Sequence, residues 1–210
     1  MIDLPIKDKR GNSYLSYSAI SLFLSDKQAF YRSYILKEPF TNKYIEFGSK
    51  VGKALETLDF TGFESSEIET LKKVTRLDIF ERRTILRYED FYVIGFVDTC
   101  KNDLSEIIDY KTGGKDKEFQ YQNSDYTQLH YYALSIRQET GITPKYASVE
   151  FIRRFGNMYK NIPLSVANEP PIVIEVDISE IRLKKVYWET IKIAKDIEKY
   201  YLYMKNNGRR

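Results

Sequence analysis

An α/β fold, with a central mixed β-sheet flanked by helices on both faces, is what the sequence predicts. Three observations carry this expectation. Apolar residues up to about position 75 recur at helical spacing; from Leu77 the period changes to alternation; further on, helical and extended patterns take turns. The middle strands are apolar on both sides, with Ile94, Phe96 and Ile107 pointing one way and Val97, Ile108 and Tyr110 the other. A sheet of that kind needs a cover on each face.

The elements follow in order. "SYSAISLFLSDKQAFYRSYIL", 16–36, places Ile20, Phe23, Leu24, Phe30, Tyr31 and Tyr34 on a helical stripe, with Ser16 or Ser18 as its N-cap. "YIEFGSKVGKALETL", 44–58, reads as a second helix despite two glycines, and "SSEIETLKKV", 65–74, as a short third one opened by serine and acids. Three strands come next, 77–88, 91–100 and 105–112, joined by turns at Glu89-Asp90 and around Asn102-Asp103. A helix capped near Ser124 or Asp125 runs to Gly141. It is followed by the strand "KYASVEFIRRF", a Gly-Asn turn, the strand "PIVIEVDI" and a long helix from about Ser179, with "NNGRR" as a frayed tail.

A chain of 210 residues with 42% hydrophobic content is expected to form a single domain. Its parts are a helical region at about 16–75, a sheet core at about 77–177 and a C-terminal helix at about 179–207. The net charge of +3 is too small to announce a nucleic-acid partner by itself. Eighteen tyrosines and twelve phenylalanines read first as core. Cys100 is the lone cysteine, which excludes an internal disulfide, a four-cysteine zinc site and a cysteine-ligated iron–sulfur cluster within one chain. A single histidine, His130, excludes multi-histidine metal sites and is expected to pack or lie at the surface. The basic residues of the last helix alternate with acids and read as a solvated face. No targeting or membrane-spanning pattern stands out, so a soluble, cytoplasmic protein is expected.

The stretch "GFVDTCKNDLSEIIDYKTGG", 95–114, carries the chemistry. A hairpin closed between Asp103 and Leu104 pairs Lys101 with Glu106 and sets Asp98 against Asp109. Directly opposed like charges destabilise a sheet. Lys111 returns to the face of Asp109 by strand alternation. Three arrangements account for the cluster: an ion pair that leaves one acid without a partner, a proton shared by two carboxylates, or a divalent cation that turns repulsion into chelation. The cation is the reading adopted, and Mg²⁺ with its preference for one or two carboxylates fits it.

These residues resemble the PD-(D/E)XK nuclease superfamily. "GFVD" followed by "DYKT" matches its core signature at Asp98, Asp109 and Lys111, and "YTQLHYYAL" supplies Gln128 and Tyr132 in a Q-x-x-x-Y arrangement similar to that of RecB-like nucleases, including the CRISPR-associated RecB-like exonucleases. The resemblance spans about 16–136. It implies a restriction-endonuclease-like core and an Mg²⁺-dependent deoxyribonuclease in which Mn²⁺ substitutes. RecB-like members usually carry a histidine where this chain has Gly52; "GKALE" resembles the G-x-x-x-E helix of viral alkaline and YqaJ-like exonucleases, so Glu56 becomes the implied helical acid. The cluster-binding cysteines of many relatives are missing, and no iron–sulfur cluster is expected.

The implied roles are then specific. Asp98, Asp109 and Glu56, with the carbonyl of Tyr110, hold the metal; Lys111 orients the attacking water and offsets charge on the phosphate. Gln128 and Tyr132, on one helical face, position water or the DNA backbone. Read from the residues themselves, Gly113-Gly114 is the exit from the strand, and "GGKDK" offers Lys115 or Lys117 as a DNA phosphate contact. The implied function is an exonuclease acting on DNA in recombination, repair or replication, with a recombination or replication protein as a further partner. A structure-selective endonuclease and a catalytically silent DNA-binding or assembly subunit are the alternatives.

Overall fold

Ser16 ends one element and begins the next. In the computed structural model, which describes residues 1–38, 41–124 and 126–207, strand β1 (Ser13–Ser16) runs into helix α1 (Tyr17–Ser25), and the Ser16 hydroxyl accepts the Ala19 N–H at 3.1 Å. That is the expected cap; Ser18 lies within the helix. The single helix expected over 16–36 is instead broken at Asp26, whose extended backbone and side chain open α2 (Lys27–Phe30), followed by a π-helical turn at Tyr31–Ile35. An aspartate that can cap the next N–H offers the backbone an alternative to continuing the helix. Ile20, Phe23 and Phe30 are buried as the stripe requires, whereas Leu24 is exposed.

Helix α3 (Lys43–Thr57) and α4 (Ser65–Leu71) follow. The cap of α4 is Glu64 and not a serine: Glu64 and Glu67 exchange side-chain and backbone hydrogen bonds as a capping box. Then come β2 (Ile79–Arg87), β3 (Phe91–Cys100) and β4 (Glu106–Gly113). Helices α5 (Lys115–Gln122) and α6 (Thr127–Thr140) cross over to β5 (Tyr146–Asn157), and β6 (Ile162–Val166), β7 (Ile172–Glu175) and α7 (Glu180–Asn207) complete the chain. Tyr126 occupies the cap position of α6 without a side-chain bond, so Ser124 is not the cap, and Asp125 lies outside the described residues. Gly141 ends α6 at φ 77°, as expected. Helix α7 holds through Asn207; the remaining tail residues lie outside the described set.

The sheet is mixed and seven-stranded. Strand β3 pairs antiparallel with β2 on one side; on the other, β1 runs parallel along Phe91–Ile94 and β4 antiparallel at Thr99↔Ile108 and Cys100↔Ile107. The parallel β4–β5 pair spans all eight residues of β4, and β5 then takes β7 and β6 as antiparallel neighbours along successive stretches. A large apolar cluster joins the sheet to α1, α6 and α7, and a smaller one packs Val51, Leu55 and Leu71 of α3 and α4 against Ile152 and Val166. Both faces are therefore covered, as predicted, but not by the expected division of side chains: Val97 joins Ile107 in the large cluster, and Phe96 is exposed.

Three elements escape the sequence pattern. Strands β1 and β6 are four and five residues long, too short for a convincing alternation. Helix α5 buries no residue, so it has no apolar stripe to read. The expected Gly-Asn turn is also displaced: β5 continues through a bulge at Gly156, φ 92°, and the reversal falls at a 3-10 turn, Met158–Lys160. A Cβ on Gly156 would lie 2.0 Å from the Pro163 carbonyl oxygen, so glycine is demanded by close approach of the backbone.

Candidate active site

The hairpin register is the one expected, with Lys101 and Glu106 in an ion pair of 2.7 Å, but its ladder stops short of the acids. On that side of β3, Gly95–Asp98 fall between the end of β1 and the start of β4 and have no strand partner. On the other side, pairing with β2 skips Glu81 and Asp98, and Glu81 sits at φ 50°. Val97 and Cys100, three residues apart, both join the large apolar cluster. Unbroken alternation cannot do that, so the pleat slips by one residue at Asp98. Asp98 and Asp109 are consequently not a flat cross-strand pair. Instead, the Asp98 carboxylate accepts the N–H of Tyr110, next in sequence to Asp109, at 2.6 Å.

Asp109 is fully buried. Its Oδ2 is held by Lys111 Nζ at 2.5 Å and accepts the Tyr126 hydroxyl at 2.9 Å, while its Oδ1 has no hydrogen-bond partner. Tyr126 also reaches Gln128 Oε1 at 2.6 Å, and the Gln128 amide donates to the Tyr132 hydroxyl at 2.5 Å. The single Tyr126 proton serves one acceptor at a time, so Gln128 and Tyr132 steer the hydroxyl that grips the carboxylate. Strand β4 thus supplies Asp109 and Lys111, β3 supplies Asp98, and the start of α6 encloses them.

The electrostatics follow from this packing. Burial, then the charge of Asp109, push the Asp98 carboxyl up to about 7, against the counter-effects of Lys111 and the Tyr110 N–H. Burial pulls the Lys111 ammonium down, but the charges of Asp109 and Asp98 outweigh it and leave the pKa raised. Burial and the neighbouring Asp109 hold the Tyr126 phenol well above its ordinary range, so it remains a donor. Glu81 is raised by burial and by the charges of Glu56 and Asp109.

A cleft of about 520 Å³ opens beside this cluster, with Gly48, Gly52 and Glu56 of α3 facing Glu81, Asp98 and Lys111. The structure brings together Asp98, Asp109, Lys111, Gln128 and Tyr132. Glu56 lines the same cleft as Asp98 and Lys111, where it pairs with Lys53 at 2.8 Å. Among the described residues, no three acidic, histidine or cysteine side chains stand close enough to form a complete metal cage. Tyr110 uses its N–H for Asp98 and its hydroxyl for the Thr75 carbonyl. Lys115 is exposed at the start of α5, beyond the Gly113-Gly114 exit. His130 is buried, bridging the carbonyls of Tyr126 and Asp177, a packing role.

Two residues escaped the sequence reading. Tyr126 carries no local signal among so many tyrosines. Glu81 does: extending the pair formed by Tyr88 and Phe91 back along β2 places it across from Asp98.

This architecture, a mixed sheet covered on both faces with Asp98, Asp109 and Lys111 where β3 and β4 part, is similar in fold to two solved exonuclease structures. A candidate exonuclease from Eubacterium rectale superposes at a TM-score of 0.52 with 13% identity, covering 89% of this chain and 82% of that one. An alkaline exonuclease from Laribacter hongkongensis superposes at 0.50 with 9% identity, covering 93% of each. At those identities the likeness is one of fold. No family model and no curated protein matches the chain. Among the described residues no helix is long and apolar enough to cross a membrane.

Proposed function

We propose that the protein is a divalent-metal-dependent DNA nuclease, an exonuclease that processes ends in recombination, repair or replication. The observation that carries this reading is the unpartnered, fully buried Oδ1 of Asp109 beside Asp98 and Lys111. A buried carboxylate oxygen without a donor is costly, and a hard cation is the partner that satisfies it while relieving the repulsion from Asp98. The donor set fits Mg²⁺, with Mn²⁺ in substitution: two carboxylates and the nearby Tyr110 carbonyl, the remaining positions going to water and phosphate. Glu56, paired with Lys53 on the wall of the same cleft, is the helical acid that completes the set. When bound, the cation polarises the phosphodiester and lowers the pKa of a coordinated water.

The chain's own residues do the rest. Lys111 keeps its proton, because two carboxylates favour the ammonium, and therefore orients the water and offsets charge on the phosphate instead of serving as base. Tyr126 and Lys111 occupy Oδ2 of Asp109, so that Oδ1, which has no hydrogen-bond partner, would be the oxygen left to hold the metal. Gln128 and Tyr132 are positioning residues that act through Tyr126. Lys115, exposed beyond the strand, is available to a DNA phosphate.

End-labelled linear DNA and closed circular DNA, incubated with Mg²⁺, Mn²⁺ or EDTA, test the proposal. Release of label from linear DNA alone, abolished by EDTA and by Asp109→Ala or Lys111→Ala, is expected. Cutting of circles would assign a structure-selective endonuclease. Cleavage that survives both substitutions would reject this site, and inactivity with both metals would assign a silent DNA-binding subunit.

A further inference from the structure

At the end of the cleft formed by the first turns of α3, β5 and β6 project beyond the sheet as a two-stranded arm. Arg153 pairs with Gly113, the last residue of β4, so the arm starts two residues past Lys111 in the parallel register. Beyond it, Arg154 lays its guanidinium over the Tyr44 ring, 4.1 Å from the centroid, and Tyr44 lies 6.3 Å from the ring of Tyr159 at the arm's tip. Tyr44 stands one helical turn before Gly48, which packs on Thr112. The aromatic cluster is therefore about 6 Å along α3 from the cleft wall.

The tip is built to hold its ring out. Tyr159 is 90% exposed, the extreme for an aromatic side chain among the described residues. Its backbone is fixed all the same: the Asn157 side chain accepts the N–H groups of Tyr159 and Lys160, and the Met158 N–H donates to the Tyr44 hydroxyl at 3.0 Å. The Gly156 bulge bends the arm at this point. The charges are arranged to match. Arg153 is neutralised by Glu118 and Glu169. Arg154 forms no ion pair among the described residues, and its Nε is buried without a hydrogen-bond partner. An open ring on a fixed backbone, next to a guanidinium that forms no ion pair among the described residues and feels the charge of Asp116, matches the two parts of a nucleotide: the ring offers a stacking face for a base and the cation a partner for its phosphate.

We propose that Tyr159, backed by Tyr44 and Arg154, is a stacking platform for an unpaired nucleobase, so that the substrate enters the cleft as a single-stranded DNA end. This rests on the nuclease reading of the cleft and deepens it by naming the substrate class. A base within a duplex has both faces covered by its neighbours and cannot stack on the ring, so the platform discriminates by strand state and not by sequence.

Binding in EDTA, where hydrolysis does not intervene, tests it. Fluorescence anisotropy with a labelled single-stranded oligonucleotide and with a blunt duplex compares wild type, Tyr159→Ala, Tyr159→Trp and Arg154→Met. Tyr159→Ala is expected to weaken single-strand binding about tenfold or more while leaving duplex binding within twofold, and Tyr159→Trp to restore it. Arg154→Met is expected to lower the slope of log affinity against log salt by about 0.7. A 2-aminopurine base near the 3′ or 5′ end is expected to change fluorescence on binding wild type and Tyr159→Trp, but not Tyr159→Ala. Single-strand binding by Tyr159→Ala within twofold of wild type overturns the platform, as does an equal loss on both substrates or a wild-type chain that binds neither. Because no cleavage enters the readout, a failed platform with metal-dependent cleavage intact leaves the nuclease standing, and the converse result removes the nuclease alone.

Discussion

Asp98 carries a charge that its surroundings oppose, and its titration has a direction. The carboxyl sits near 3.8 in an unfolded chain and at about 7 in the fold. Between those values the folded protein binds more protons than the unfolded one, so stability falls as pH rises through this window. In EDTA, the melting temperature is expected to drop from pH 4 to 7, and a divalent cation to restore it at pH 7. Asp98→Asn keeps the oxygen that accepts the Tyr110 N–H while removing the charge. It is expected to stabilise the metal-free protein by about 1 kcal/mol in urea unfolding at pH 7.5 and to lower cleavage about a hundredfold or more, the opposed signs that mark a site whose strain serves function. Tyr126→Phe works the other way. It strips a buried carboxylate of a donor and is expected to destabilise the protein by about 1.5–3 kcal/mol, measured in the same unfolding experiment.

Two glycines with different surroundings separate helix from strand. Gly52, in the interior of α3, would place a Cβ with nothing within 4 Å. Gly52→Ala is expected to raise stability by about 0.5–1 kcal/mol, since alanine loses less backbone freedom in a helix. Gly95, in β3, would place its Cβ 2.5 Å from the Tyr132 ring. Gly95→Ala is therefore expected to destabilise by about 1–3 kcal/mol and to slow cleavage by displacing the Tyr132 partner of Gln128. Thermal melts of the two variants side by side check both signs. The same contrast explains what the sequence pattern conveys: it reads helix α3 from the spacing of Val51, Ala54 and Leu55, but not how closely α6 approaches β3 at Gly95, which two separate elements decide together.

At the scale of the whole molecule, the acids sit where two apolar clusters meet. Tyr126 and Tyr132 belong to the large cluster under α6, and Tyr110 packs with the small one under α3. Burial on both sides is what makes the unpartnered Oδ1 of Asp109 costly, and under the proposed function a bound cation would be coupled to folding through it. Mn²⁺ at about a hundred times its Kd is expected to add about 2.7 kcal/mol, raising the melting temperature by roughly 5–10 °C. Asp109→Ala is expected to abolish this increment, which differential scanning calorimetry with and without EDTA reads directly.

Alternation and hairpin closure are local rules, and they single out Asp98, Asp109 and Lys111, though not their true spacing across the hairpin; Gln128 and Tyr132 come from the resemblance, the i, i+4 step only placing them on one face. The chain alone also determined a sheet apolar on both faces. Other features depend on segments far apart in sequence: the gap between β1 and β4 that leaves Asp98 without a strand partner, the slipped pleat opposite Glu81, the Tyr126 hydroxyl on Asp109, and the cleft that Glu56 shares with Asp98. These only the tertiary structure decided, because hydrogen bonds and burial between distant elements are satisfied jointly, and no local pattern records which of them gives way.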